Sequence, residues 1–175
     1  MRARPRLRDL PNVLSLTRVV FAASFVAADG AAARAGIIGA AGLTDLLDGW
    51  LARHLNVATG RGALIDAVAD RAFVLAATVT LVSDGALGLG GALVVLARDV
   101  ATAVGFVVAL VVPWLRAAEF KASWLGKVVT ILQFVTLFAA VVAPALVGAL
   151  LAAVAVTAAW SIADYTLALW RARAR

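Results

Sequence analysis

A chain of 175 residues that is 64% hydrophobic and only 15% charged has more apolar surface than one small water-soluble core can hide, so lipid must be its solvent. Cysteine is absent and His54 is the single histidine, which excludes disulfides and Cys- or His-cluster metal sites and argues against a Ser-His-Asp triad; a metal would have to be held by carboxylates, which favours magnesium or manganese. The net charge of +6 does not indicate nucleic acid, because the basic residues lie between or beside apolar segments and not on one polar face.

Six apolar segments follow one another: Leu10 to Ala28, Arg34 to Leu51, Gly62 to Val82, Leu89 to Trp114, Trp124 to Ala143 and Ala145 to Trp170. They predict an all-α polytopic membrane protein with six transmembrane helices. Frequent Gly and Ala suit close helix packing in lipid. The chain reads as a single membrane domain over 1–175, with short basic tails at 1–9 and 171–175. The first segment is longer than a typical signal-peptide core and is interrupted by Arg18, so it reads as a span and not a cleaved leader.

Basic residues set the orientation. Arg2, Arg4, Arg6 and Arg8 precede the first span, Arg53 and Arg61 separate the second and third, Arg116, Lys121 and Lys127 surround the fourth connection, and Arg171, Arg173 and Arg175 end the chain. Six crossings bring all four regions to one side and leave Arg34 on the other, beside Asp29 and Asp84. The positive-inside bias then predicts that both termini are cytoplasmic.

Four aspartates stand out. Asp45 and Asp48 are three apart near the cytoplasmic end of the second span, and Asp66 and Asp70 are four apart near the start of the third. Both spacings put side chains on one helix face, so two antiparallel helices can bring two carboxylate pairs to one depth. Each acid costs roughly 2.5–3.5 kcal/mol at a membrane centre, less near the interface, and the four would repel one another unless cations joined them. The plain alternative is that they reach the headgroups or pair with Arg53, Arg61 and Arg71.

The neighbouring residues favour chemistry. "GLTDLLDGWLAR" at 42–53 and "GALIDAVAD" at 62–70 combine as D-x-x-D-G-x-x-A-R, eight residues, then G-x-x-x-D-x-x-x-D. Carboxylates on two helices can cage two divalent ions that neutralise and orient a pyrophosphate. Gly49 and Gly62 allow close backbone approach, Ala52 is small, and Arg53 can fork onto phosphate. The pattern resembles the signature of the CDP-alcohol phosphatidyltransferase family at Asp45, Asp48, Gly49, Ala52, Arg53, Gly62, Asp66 and Asp70.

That resemblance implies specific roles. Asp45, Asp48, Asp66 and Asp70 would ligate divalent metal, two ions of magnesium or manganese, and Asp70 would also take the proton of the attacking alcohol. Gly49, Ala52, Arg53 and Gly62 would hold the CDP part of CDP-diacylglycerol. The implied reaction is attack of an acceptor hydroxyl on the lipid-bearing phosphate, releasing CMP.

Other stretches extend the resemblance. "PNVLSLTR" at 11–18 looks like the opening of the branch containing phosphatidylglycerophosphate synthases and the CDP-alcohol type of cardiolipin synthase; it adds Asn12 to the donor site and Arg18 to the acceptor site, although Pro11 and Asn12 also make an ordinary helix entrance. "ARDV" at 97–100 implies Arg98 as a cation facing the acceptor, against a simple ion pair of Arg98 or Asp99. "SWLGKVVTILQ" at 123–133 implies Lys127 and Thr130 in acceptor recognition, against an interfacial anchor. Asp164 and Tyr165 read as packing or ion-pair residues, and Trp114, Trp124, Trp160 and Trp170 as interfacial belt residues. Ala67, Val68 and Arg71 depart from the Asp-Pro-Leu-Ala-Asp-Lys run of many relatives while leaving the carboxylates intact.

The leading reading is phosphatidyl transfer to glycerol 3-phosphate, whose phosphate calls for cations such as Arg98 and Lys127; the alternative acceptor is phosphatidylglycerol, giving cardiolipin. A non-enzymatic ion or proton transporter would account for intramembrane acids but not for the spaced glycines, alanine and arginine. The expected setting is a bacterial cytoplasmic membrane with the active site facing the cytoplasm, in contact with membrane lipids, and the resemblance implies a homodimer.

Overall fold

Glycine and proline mark the described helix ends of this chain. The computed structural model describes the backbone of residues 10–55, 60–111 and 124–173, and the side chains of residues 17–45, 69, 71–105, 108, 124–164 and 166–167. Among these residues there are six long helices and no strand: α1 (Leu10–Ala27), α2 (Ala31–Leu55), α3 (Gly60–Ser83), α4 (Leu89–Val111), α5 (Trp124–Val142) and α6 (Val147–Arg173), with a short 3-10 turn at Pro144–Leu146 before α6. The all-α expectation of six helices holds, with every helix overlapping its predicted segment.

The described links are short. Gly30, with φ of 90°, turns the chain between α1 and α2. At the end of α3, Gly85 has φ of 72°, and the N–H groups of Gly85 and Ala86 return to the carbonyls of Val82 and Leu81 at 3.0 and 2.9 Å. This left-handed glycine cap satisfies carbonyls that the helix end leaves open. Between α5 and α6, Pro144 opens the 3-10 turn directly after Ala143, where its missing N–H costs nothing.

α1 packs chiefly on α3, α2 lies against α1 and α5, and α6 covers α4 and α5. The interior is built on Phe25 of α1, Ile38 and Ala41 of α2, Phe73, Val74, Ala77 and Leu81 of α3, Val95 of α4, and Leu137 and Ala140 of α5. Phe73 is its centre. Its ring meets Phe25 edge-on at 6.2 Å and stacks on Phe134 at 5.5 Å with 7° between planes. Both geometries are favoured by the ring quadrupole, and they join α1, α3 and α5. At Gly91, an added Cβ would stand 2.8 Å from the Leu87 side chain and 3.1 Å from Leu151, so the missing side chain permits the approach of α4 to α6.

The outer faces are apolar as well. Val19, Val20 and Val26 on α1, Val100 and Val104 on α4, Ile131, Val135 and Phe138 on α5, and Val156 and Trp160 on α6 are exposed. Apolar surface on both sides of a helix indicates a lipid-facing exterior. Two stretches, Trp124–Val142 and Pro144–Asp164, are long and apolar enough to cross a membrane; those beginning at Thr17 and Arg71 are shorter among the described residues. Among the described residues, the six helices thus differ in the length of their apolar stretches. Charged residues such as Arg18, Asp45 and Arg71 interrupt the hydropathy of α1–α3 without interrupting the helices. The chain is a membrane protein by composition, by these two helices and by its apolar exterior.

Candidate active site

The carboxylate-bearing segments continue helices whose inner faces are known. On α2, buried Ile38 and Ala41 lead by steps of three and four to positions 45 and 48. On α3, buried Phe73 and Ala77 lead back by the same steps to positions 70 and 66. Such steps keep to one helix stripe. Positions 45, 48, 66 and 70 thus prolong the stripes that form the core.

Asp45 has a described side chain, and it is engaged. Nη2 of Arg18 on α1 donates to Oδ1 of Asp45 at 2.6 Å. The Arg18 side chain is 1% exposed and that of Asp45 35%, so a sealed guanidinium meets a carboxylate that still reaches outward. A charge-assisted contact of this length is strong and directional. Beside it, Thr44 Oγ1 donates to the Ala41 carbonyl at 2.8 Å. The side chains of Asp48, Asp66, Asp70, Arg53 and Asn12, and positions 49, 52 and 62, lie outside the described side chains. No group of three or more His, Cys, Asp or Glu that could hold a metal occurs among the described residues.

A second polar cluster joins α3, α4 and α5. Asp99 Oδ1 lies 3.7 Å from Arg71 Nε and 3.6 Å from Arg98 Nη1. Arg71 Nη2 donates to Thr102 Oγ1 at 3.2 Å. Gln133, fully buried on α5, donates through Nε2 to Asp99 Oδ2 at 2.8 Å and to the Val95 carbonyl at 2.6 Å. Arg98, expected at the acceptor, is largely buried here, and its Nε has no hydrogen-bond partner among the described residues.

The remaining predicted residues fall as follows. Lys127 is exposed in the first turn of α5, and Thr130 Oγ1 donates to the Gly126 carbonyl at 3.1 Å. Asp164 is exposed and forms no ion pair among the described residues, a correction to the packed or paired role expected of it: it sits on the outward side of α6. Arg18 is drawn to Asp45, whereas the sequence assigns it to the acceptor. Sequence reasoning missed Gln133 altogether. The available signal was a lone amide on the stripe of Gly126, Val129, Gln133, Leu137 and Ala140, all buried.

Among the described residues, the chain is an all-helical membrane protein in which a buried arginine of α1 is bonded to the first aspartate of α2. Residues 8–163 match the CDP-alcohol phosphatidyltransferase family. The chain belongs to that family. It is 34% identical over 143 residues to a probable phosphatidylglycerophosphate synthase of Mycobacterium tuberculosis, covering 77% of this chain and 66% of the relative. It is 33% identical over 105 residues to a cardiolipin synthase (CMP-forming) of Streptomyces coelicolor, covering 54% of this chain and 48% of that protein. Over 82 residues it is 38% identical to CDP-diacylglycerol--glycerol-3-phosphate 3-phosphatidyltransferase 1 of Arabidopsis thaliana, covering 43% and 28%. The chain thus spans just under two thirds of the length of the mycobacterial relative and less of the other two.

Proposed function

We propose that the protein transfers a phosphatidyl group from CDP-diacylglycerol to glycerol 3-phosphate, forming phosphatidylglycerophosphate and CMP. The observation that carries this reading is the eight-residue signature carried by α2 and α3, with Arg18 bonded to the first of its acids. The similarity to phosphatidylglycerophosphate synthases over most of the chain supports the acceptor. A second reading, transfer to phosphatidylglycerol to give cardiolipin, is favoured by the cardiolipin synthases among the relatives.

The donor set is all carboxylate, which fits magnesium or manganese. Asp45, Asp48, Asp66 and Asp70 would hold two such ions, which when bound supply neutralisation of the pyrophosphate and of the charge on departing CMP. Arg18, beyond any contact with acceptor, orients Asp45. Gly49, Ala52, Arg53, Gly62 and Asn12 bind the CDP moiety. Asp70 accepts the proton of the acceptor hydroxyl as its oxygen bonds to the lipid-bearing phosphorus; the bond from that phosphorus to the bridging oxygen breaks, and CMP leaves. Arg98 and Lys127 attract the acceptor phosphate.

Six spans with both termini in the cytoplasm would set this chemistry at the inner leaflet, where a lipid-tailed donor meets a soluble acceptor. A single domain of this kind would act in a bacterial cytoplasmic membrane, as a homodimer. The decisive test offers glycerol 3-phosphate and phosphatidylglycerol in parallel to purified protein with CDP-diacylglycerol and magnesium. Phosphatidylglycerophosphate from the first supports the leading reading, cardiolipin from the second supports the alternative, and no CMP release with either overturns both.

A further inference from the structure

The cluster around Asp99 holds two guanidinium groups and one carboxylate, yet neither arginine is within hydrogen-bond reach of it. Arg98 Nη1 and Arg71 Nε stand at 3.6 and 3.7 Å, beyond the usual 2.7–3.2 Å. The close partner of Asp99 is Gln133, at 2.8 Å through Oδ2. Gln133 is in turn anchored to the Val95 carbonyl at 2.6 Å. The amide orientation is forced by chemistry: its two N–H donors face two acceptors, where an oxygen would face none that could donate.

The consequence is a cation that faces its carboxylate at ion-pair distance but without a direct hydrogen bond to it. Arg98 Nε is buried without a hydrogen-bond partner among the described residues, an arrangement that is unfavourable unless an anion completes it. Asp99, the neighbouring residue on α4, could supply that partner by turning toward Arg98. The grip of Gln133 on Oδ2 opposes the turn, and Arg71 is held to α4 separately through Thr102.

We propose that Gln133 is a positioning residue that holds Asp99 away from Arg98, keeping the Arg98 guanidinium available to the phosphate of the acceptor. The proposal rests on the reading of Arg98 as an acceptor-facing cation. Its particular content is a latch: without the two amide donors, Asp99 closes onto Arg98 and competes with the incoming anion.

The test uses the full chain in detergent micelles with CDP-diacylglycerol, magnesium and glycerol 3-phosphate. Gln133→Met removes both donors at similar volume and should raise the glycerol 3-phosphate KM about tenfold while kcat and the donor KM stay within about twofold. Adding Asp99→Asn to that variant removes the competing charge and should bring the acceptor KM back to within about threefold of wild type, a rescue that a purely structural role would not produce. An unchanged acceptor KM in Gln133→Met, or a double variant worse than the single one, overturns the latch. Should Gln133→Met fail to fold, Asp99→Asn alone decides: an acceptor KM at or below wild type supports the proposal and a rise sinks it. Binding of inorganic phosphate, measured by calorimetry, separates the two readings. Phosphate binding weakened about tenfold in Gln133→Met, in a protein that releases no CMP, keeps the latch and discards the proposed reaction; turnover with undiminished phosphate binding does the reverse.

Discussion

Arg34, in the first turns of α2, forms an ion pair with Asp84 in the turn that follows α3. Its Nε also donates to the Ala28 carbonyl at 3.1 Å, and its guanidinium lies 5.6 Å from the centre of the Phe25 ring. One side chain thus ties both short links to the aromatic core. From Arg34 to Asp45 the rise along α2 is roughly 16 Å, so this clasp is remote from the acids. Arg34→Ala should lower stability by about 1 kcal/mol, since the Asp84 partner is substantially exposed and the cation–π contact adds a similar small amount. Thermal unfolding in detergent should register the loss, while both substrate KM values stay unchanged; a shifted donor KM would contradict the separation.

Arg18→Met should behave differently. It removes a sealed guanidinium from Asp45 and should cost about 2 kcal/mol, below the full value for a buried pair because Asp45 is partly exposed. Activity should fall with it. Arg18→Lys keeps the charge but loses the forked donor geometry, and recovery of half or more of the stability would show that charge matters more than shape.

The acids can be separated by kinetics. Asp70→Asn should abolish CMP release while donor binding persists, because the proton acceptor is lost and the other carboxylates remain. Asp45→Asn should weaken metal and donor binding together. Titration of CDP-diacylglycerol against each variant distinguishes the two, and near wild-type turnover by Asp70→Asn would remove Asp70 from the role of base.

Chelation with EDTA should stop CMP release, and added magnesium or manganese should restore it, as an all-carboxylate donor set predicts. Activity persisting in a thoroughly chelated sample would sink the two-ion reading.

Phe73→Ala should be the most damaging of the core changes. The ring touches Phe25 and Phe134 at once, and its removal opens a cavity worth about 3 kcal/mol or more. In lipid the cost comes from lost packing contacts and less from transfer out of water. Denaturant titration followed by helix content measures it; a loss below about 1 kcal/mol would mean that the helices close over the gap.

Helix number and order were legible because each apolar run is long and each break carries Gly or Pro. Helix length was less so. α2 runs from Ala31 to Leu55, past both ends of its apolar run, because hydropathy marks where lipid begins and not where backbone hydrogen bonding stops. The four aspartates were legible as two helix-spaced pairs, and the glycines, alanine and arginine between them carried the family resemblance. Gln133 was not legible, since no motif surrounds it and its role depends on α4 arriving alongside with Asp99. Arg18 was noticed as an interruption, but its partner on another helix is a tertiary fact that linear order does not carry.

The bundle turns Val100, Val104, Val156 and Trp160 outward, and α6 offers less of its length to the interior than α5 does. The annulus around this protein is therefore a working component of it. Stripped of amphiphile, these outward apolar side chains would seek one another and the chain would precipitate; bilayer thickness and tail order should act first on α6, the helix that lies over both α4 and α5.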